Sequence, residues 1–252
     1  MLVSQNEVYR LTQRALEGSG APHGTDRDGA FAVAWLEARG LPGLVLLAAA
    51  LDRMQGAFAP LAPPRREEDT AVLDLDGRPA VAWGGAVLDG FELMTAGPAA
   101  ASLLRVQSCR WPLFLLPFAA RRAESGRGTR LHWGEGESAV FVSVNPLGDP
   151  AAGCRIVCAG EDRDPAAVIT GDLPADVVLS GMMTAVRAPA RPRSVQVVDA
   201  AKLDEALNRS LAKGIAVDDA VWARIGAVAS RVLVPASEES RTRGAGGGDA
   251  NQ

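Results

Sequence analysis

The chain has 252 residues, a hydrophobic fraction of 48% and a formal net charge of −4. This apolar content is sufficient for a substantial hydrophobic core, and the acidic balance gives no general attraction to nucleic acid or to an anionic membrane. The longest apolar runs fall far short of the ~20 residues that cross a bilayer, and no signal-type segment opens the sequence, so we expect a cytoplasmic protein.

The first part of the chain, residues 1–58, has the pattern of three helices. Ser4 and Glu7 form the Ser-x-x-Glu capping box that begins a helix. Thr25 is expected to cap a second helix, and Pro42 predicts the start of a third, which is apolar on nearly all sides and therefore buried. The three helices are predicted over residues 4–17, 25–40 and 44–57.

Strand patterns dominate residues 70–199. The dipeptide Asp76-Gly77 between two apolar runs is a signal for a β-hairpin, which predicts paired strands on either side of it. Helical character is expected for residues 97–107 and 111–124. Further strands are predicted over residues 129–133, 139–144, 154–158, 176–180 and 194–199.

The chain then returns to helices and ends in a glycine-rich tail. Asp199 is expected to cap a helix that Gly214 stops, and residues 218–232 form the last predicted helix. The element order predicts an α+β fold, with mixed α/β also possible, in which a three-helix layer packs on a central mixed β-sheet. We expect one domain over residues 1–252, made of a helical layer (1–58), a strand-rich middle (70–199), helices (200–232) and the tail (233–252).

Cysteine and histidine content limits the metal and redox chemistry that we expect. Three cysteines without framework spacing argue against a disulfide scaffold. Cys154 and Cys158 share one face of a predicted strand, which favours core packing. Only His23 and His132 could add imidazole ligands, so we expect no metal site.

The C-terminal tail is the first candidate for a functional site. Arg241 and Arg243 could hold a carboxylate by paired hydrogen bonds, while glycine N–H groups wrap around it. In the alternative interpretations, Glu238 pairs with Arg241 on a helical turn, or the tail is a solvated end. The candidate substrate-binding residues are Ser237, Arg241, Arg243, Gly244 and Gly246, and the candidate catalytic residues are Glu238 and Ser240.

Three residues outside the tail are further candidates. His23, in a glycine-containing loop before a helix, is a candidate catalytic acid or base, or else a solvated loop residue. Asp89 follows the Gly84-Gly85 pair, which either lets backbone approach a ligand or marks a turn and helix start. His132 lies near Glu135 at a strand end and is either part of a small acid–base cluster or half-buried structure.

The whole chain resembles a bacterial domain family to which no function is assigned. The resemblance rests on residues 3–7, 35–44, 112–118 and 234–246, with the tail Val-Pro-Ala-Ser-Glu-Glu-Ser-Arg…Gly-Ala-Gly as its most recognisable segment. It implies no activity. The residues after the glycines depart somewhat from the family pattern.

About 55 residues at the start of the sequence are also similar to the opening of the type 2 malate/lactate dehydrogenases, through Val3-Ser4-x-x-Glu7, Ala15-Leu16, Gly20 and Ala38-Arg39-Gly40. Those enzymes continue with Ser-His-Gly, whose histidine serves in hydride and proton transfer to a 2-keto acid. Here the sequence is Leu41-Pro42-Gly43, and Pro42 cannot exchange a proton. The similarity therefore implies a shared helical opening with a lost or relocated active site, and it leaves NAD possible but disfavoured as a cofactor.

Two hypotheses of different classes follow. The first is a small-molecule metabolic enzyme that acts on a carboxylate-bearing substrate, with a site around the tail and with His23, Asp89 or His132; its cofactor is unknown. The second is a non-catalytic subunit or interaction protein whose tail completes the site of a partner enzyme, which suits the missing dehydrogenase histidine. We expect a homo-oligomer in either case, and neither nucleic acid nor a membrane as partner.

Overall fold

The structure is a computed structural model that describes residues 1–96, 101–146, 152–159, 173–181 and 195–232. These residues form seven α-helices, an eight-stranded mixed sheet and a two-stranded sheet. The predicted fold class is confirmed. The helices are α1 (Gln5–Gly18), α2 (Thr25–Ala38), α3 (Gly43–Leu51), α4 (Ala80–Met94), α5 (Leu116–Glu124), α6 (Ala200–Lys213) and α7 (Asp219–Ala229). None of them is long and apolar enough to cross a membrane.

The eight-stranded sheet has the order β2-β3-β4-β8-β5-β6-β7-β9. β3 and β4 are parallel because α4 carries the chain back between them, whereas the other paired strands are antiparallel. Strand β1 pairs with β10 in the small sheet. The strands are β1 (Leu2–Val3), β2 (Arg65–Glu67), β3 (Thr70–Asp74), β4 (Leu103–Cys109), β5 (Thr129–Trp133), β6 (Val140–Asn145), β7 (Gly153–Ala159), β8 (Ala175–Gly181), β9 (Val195–Val198) and β10 (Ile215–Ala216).

Burial alternates along the central strands, as a sheet with one face on the core requires. Leu131, Val142 and Leu179 are buried on the core face, where they join one hydrophobic cluster with the helices. Cys154 and Cys158 are buried and unpaired, as expected from their spacing. Burial raises the pKa of all three thiols, which removes the thiolate needed for nucleophilic chemistry at neutral pH.

The N-terminal helices follow the sequence signals with two corrections. The capping box is present, because the Ser4 Oγ accepts from the Glu7 N–H at 3.2 Å and the Glu7 carboxylate accepts from the Ser4 N–H at 2.7 Å. The second helix is capped by Gly24 rather than Thr25, with φ at 100°. The third helix is shorter than predicted, because the chain turns after α3 so that the Ala57 carbonyl accepts from the Trp83 indole N–H at 2.7 Å.

The predicted β-hairpin around Asp76-Gly77 is wrong. The turn is present, with φ values of 52° and 71°, but it joins β3 to helix α4. The buried residues of α4 recur with the period of a helix, and Pro79 precedes the first turn. Packing of a fifteen-residue helix, and not the two-residue turn signal, therefore decides the structure after this turn.

Two further corrections concern residues 97–124. The predicted helix over 97–107 is wrong where the structure describes it, because residues from 103 onward form β4 between β3 and β8; residues 97–100 lie outside the described part. The predicted helix over 111–124 divides into a 3-10 turn, Pro112–Leu115, and α5, with Pro117 near the start of α5. The later predicted strands, α6 and α7 are confirmed.

Gly84 provides a test of close packing inside α4. A Cβ at this position would lie 2.6 Å from Phe118 Cε2 and 3.2 Å from the Phe114 carbonyl oxygen. We expect Gly84→Ala to destabilise the fold by about 1–3 kcal/mol through overpacking, measured by urea unfolding. Gly90→Ala is the control in the same helix, since its Cβ would meet only Met94 Cε at 3.6 Å, and it should stabilise by about 0.5–1 kcal/mol. Equal effects would contradict this account.

Candidate functional site

A cleft of about 550 Å³ lies where the end of α2 and the start of α3 face α6 and β10. The helices approach closely there: the Ser210 Oγ on α6 donates to the Ala38 carbonyl at 2.8 Å, and a Cβ on Gly43 would lie 2.7 Å from the Val33 carbonyl oxygen. We call this cavity the α3–α6 cleft. It is lined by Leu2, Glu37, Gly40, Leu41, Pro42, Leu44, Val45, Ala206, Arg209, Ser210, Lys213, Gly214, Ile215, Ala216, Val217, Asp218 and Val221.

Glu37 is the titratable group set into the wall of this cleft. It stands near the end of α2, a helix with nine buried residues out of fourteen, and its Oε1 accepts from the Leu44 N–H at 2.6 Å. Burial raises the pKa of Glu37 to about 7, while the hydrogen bond from Leu44 acts in the opposite direction. The carboxyl group is thus protonated in part of the molecules at neutral pH, which is the condition for a general acid or base.

Charged groups of α6 and α7 complete the rim of the cleft. Lys213 is exposed in the last turn of α6 and makes no hydrogen bond or ion pair within the described ranges. Arg209 is paired with Glu205 at 2.7 Å. Asp218 caps α7 by accepting from two backbone N–H groups at 2.9 Å. Lys213 is therefore the cation best placed to receive an anionic group that enters the cleft.

Pro42 lies in the wall of the same cleft, at the N-cap of α3. This is the position at which the sequence similarity to type 2 malate/lactate dehydrogenases implies a histidine. The proton-exchanging group that the structure provides nearby is Glu37, the last residue but one of α2. Sequence reasoning missed it, although a lone carboxylate in the apolar run of residues 29–38 is a detectable signal.

The residues proposed from sequence do not gather in the α3–α6 cleft. His23 is exposed in the loop before α2. Asp89 is exposed on α4. His132, on β5, stacks on Phe141 with ring centroids 4.4 Å apart; burial lowers its pKa and Glu135 opposes this. Ser237, Glu238, Ser240, Arg241, Arg243, Gly244 and Gly246 all lie outside the described residues.

Asp89 lines a separate charged cavity of about 240 Å³ between α4 and α5. Charged residues that line this cavity already pair with one another: Glu92 forms an ion pair with Arg127 and lies 3.9 Å from the Arg122 Nε. The neighbouring glycine pair is explained by packing, since a Cβ on Gly85 would lie 2.6 Å from an Asp28 carboxylate oxygen. The glycines therefore allow α4 to approach its neighbours, and they do not form a ligand loop.

Glu37 should make stability depend on pH. Its folded pKa lies above the ordinary value of 4.5, so the stability that its neutral form contributes is present below about pH 4.5 and is lost as the pH rises through 7. Glu37→Gln keeps an acceptor for the Leu44 N–H without the charge. We expect the free energy of unfolding of this variant to exceed that of the wild type at pH 8 by on the order of 2 kcal/mol and to equal it near pH 4.5.

Urea unfolding at both pH values measures this difference. Glu205→Gln, which removes an exposed carboxylate from α6, serves as the control and should retain the wild-type pH profile. A Glu37→Gln profile parallel to that of the wild type would contradict the assignment of a raised pKa to this residue.

Comparison with known proteins finds one family model that matches the N-terminal third of the chain, and solved structures with a similar fold. Residues 3–87 match the model of a family described as "Protein of unknown function (DUF3726)". No functionally curated protein matches the sequence. The resemblance to a family without an assigned function is confirmed over this range, which is shorter than the whole chain.

Solved structures similar to this chain include three dehydrogenases and reductases. A dehydrogenase from Sinorhizobium meliloti shares 12% identity, with 91% of this chain and 99% of that chain covered at a TM-score of 0.65. A putative malate/lactate dehydrogenase from E. coli shares 9%, with 96% and 98% covered at 0.63. A Δ1-piperideine-2-carboxylate reductase from Pseudomonas syringae shares 10%, with 90% and 99% covered at 0.54. The chain thus matches the DUF3726 family model over residues 3–87, and its fold is similar to that of a putative malate/lactate dehydrogenase.

Proposed function

We propose that this protein is an enzyme of small-molecule metabolism that acts on a carboxylate-bearing substrate in the α3–α6 cleft. The observation that carries the proposal is Glu37, a carboxyl group whose pKa burial raises to about 7 and which lines that cleft. Perturbed carboxyl groups in clefts are a recurring mark of catalytic sites. The reaction class is proton transfer next to the substrate carboxylate.

The geometry of Glu37 suits a proton-transfer role. Its Oε1 is held by the Leu44 N–H, which fixes the orientation of the carboxyl group and leaves Oε2 for a substrate. Because the pKa is near 7, Oε2 can release or accept a proton at little energetic cost at neutral pH. Glu37 would then take over the proton exchange that Pro42 cannot perform.

The size and charge of the cleft suit a small anion. A volume of about 550 Å³ falls within the usual range for small-molecule sites of roughly 300–1,000 Å³. The Lys213 ammonium at the rim provides a charge for the substrate carboxylate, and Leu41, Leu44 and Val45 provide an apolar wall. The names of the similar structures point the same way, since malate, lactate and Δ1-piperideine-2-carboxylate all carry a carboxylate.

A nicotinamide dinucleotide, which the dehydrogenase-like fold implies, does not fit the described cleft. The lining of the cleft sets the carboxyl groups of Glu37 and Asp218 beside the cations Arg209 and Lys213, so it offers no net positive charge to the pyrophosphate group. Of the cations on its rim, Arg209 is already paired with Glu205. We therefore derive no hydride step, and the proposed chemistry depends on residues of this chain.

The tail remains a predicted contributor of binding groups. Arg241, with the adjacent glycines, has the chemistry to hold a carboxylate, and it lies outside the described residues. We propose that it adds to substrate binding while Glu37 carries the proton. The two roles separate kinetically, because loss of a binding group raises KM and loss of a proton-transfer group lowers kcat.

Glu37→Gln tests the catalytic role. The wild type, in D₂O, should exchange the carbon-bound proton next to the carboxylate in at least one member of a panel of small 2-hydroxy and 2-amino acids, followed by proton NMR. The variant should be slower by roughly 10²–10⁴-fold, since its amide cannot transfer the proton. Glu68→Gln, an exposed change in the turn before β3 and away from the cleft, is the control and should keep the wild-type rate. Absence of exchange across the panel would overturn the enzyme proposal and favour a non-catalytic subunit.

Arg241→Ala tests the tail with the acid identified in that panel. We expect KM to rise about tenfold or more with kcat largely kept, as for loss of a charged hydrogen bond. Arg14→Ala, at an exposed position on α1, is the control and should leave both constants unchanged. An unchanged KM in Arg241→Ala would remove the tail from the site without affecting the role of Glu37.

A further inference from the structure

A second cavity lies on the other side of the contact between α2 and α6. Its volume is about 210 Å³, and its polar lining consists of Arg39, Glu124, Asn145, Cys154 and Asp204. Trp35 from α2 and side chains of α5 and α6 close it. Its lining residues are different from those of the α3–α6 cleft, so this site is independent of the proposed function.

Arg39 is the one cation among the described residues that line this cavity. Its guanidinium lies 4.0 Å from the centroid of the Trp35 ring, so stacking fixes its plane and directs its N–H groups. Within the described ranges it makes neither a hydrogen bond nor an ion pair, although it is half-buried. A half-buried guanidinium whose N–H groups bond to no described residue can receive a planar carboxylate.

Two carboxylates face the same space from other helices. Asp204 on α6 and Glu124 at the end of α5 line the cavity, and neither forms an ion pair with a described residue. Their charges oppose the effect of burial, which lowers the pKa of Arg39. With two carboxylates and one guanidinium the cavity is net negative, and this excludes a dianion while it favours a ligand that also carries a positive charge.

We propose that this cavity binds a small α-amino acid as its zwitterion, with the carboxylate on Arg39 and the ammonium group between Asp204 and Glu124. A ligand with both charges matches the guanidinium and the acidic rim together, whereas a simple carboxylate or amine matches one of them.

The size of the cavity limits the amino acid. A volume of about 210 Å³ lies below the range of roughly 300–1,000 Å³ that is usual for ligand pockets, which favours a small ligand. The apolar part of the wall, from Ala120, Ala123, Val144 and Leu203, suits a short aliphatic side chain. The ligand class is therefore a small aliphatic amino acid such as alanine, 2-aminobutyrate or valine.

Isothermal titration calorimetry of the full-length protein tests the proposal. The probes are glycine, L-alanine, L-2-aminobutyrate, L-valine and L-proline, with butyrate and propylamine as analogues that each lack one charge of 2-aminobutyrate. At least one amino acid should bind at millimolar concentration or better, and butyrate and propylamine should bind at least tenfold more weakly. No binding by any of the amino acids, or equal binding of butyrate, would overturn the proposal.

Three variants locate the binding. Arg39→Gln should weaken binding of the amino acid about tenfold or more. Asp204→Asn, an exposed change that does not threaten the fold, should weaken binding of the amino acid but not of butyrate. Arg14→Gln on α1 removes the same charge elsewhere and should leave binding unchanged. Binding that survives both Arg39→Gln and Asp204→Asn, or that falls equally in Arg14→Gln, would overturn the assignment to this cavity.

Discussion

The close burial of helix α2 is the constraint on which the rest of the structure depends. Nine of its fourteen residues are buried, and it contacts α1, α3, α4 and α5. The contacts require glycine at particular points: a Cβ on Gly29 would lie 2.4 Å from Leu16 Cδ1, and one on Gly43 would meet the Val33 carbonyl. Backbones that approach this closely fix where α2 ends, and both cavities described above lie at that end.

The end of α2 also explains why two polar side chains with different surroundings occur within three residues. Glu37 turns toward α3 and lines the large cleft, whereas Arg39 turns toward Trp35 and the smaller cavity. Burial of each charged group costs free energy, and an apolar side chain at the same position would not incur this cost. Buried charged groups of this kind are common in catalytic and binding sites. The burial of α2 is in this way connected to the proposed chemistry.

Much of the secondary structure was predictable, because its signals are local. The capping box at Ser4, the cap at Asp199 and the stop at Gly214 each act through hydrogen bonds or backbone preference within a few residues. The alternation of β5 and β6 likewise records one buried face. The prediction of a hairpin at Asp76-Gly77 failed because the same turn can lead into either a second strand or a helix. Which of them forms depends on what the next fifteen residues pack against.

Sequence alone thus determined the fold class, the caps at Ser4 and Asp199 and most of the strands, since these depend on periodicity and short-range hydrogen bonding. The resemblance to type 2 malate/lactate dehydrogenases also implied that Pro42 stands where those enzymes have a histidine. Sequence alone did not identify Glu37 or Arg39 as site residues. The pKa of Glu37 is raised by burial, and the surroundings of Arg39 result from burial and from neighbours far away in the chain, such as Asp204. Only the tertiary structure decided this, because the dielectric environment of a side chain is a property of the packed molecule and not of its local sequence.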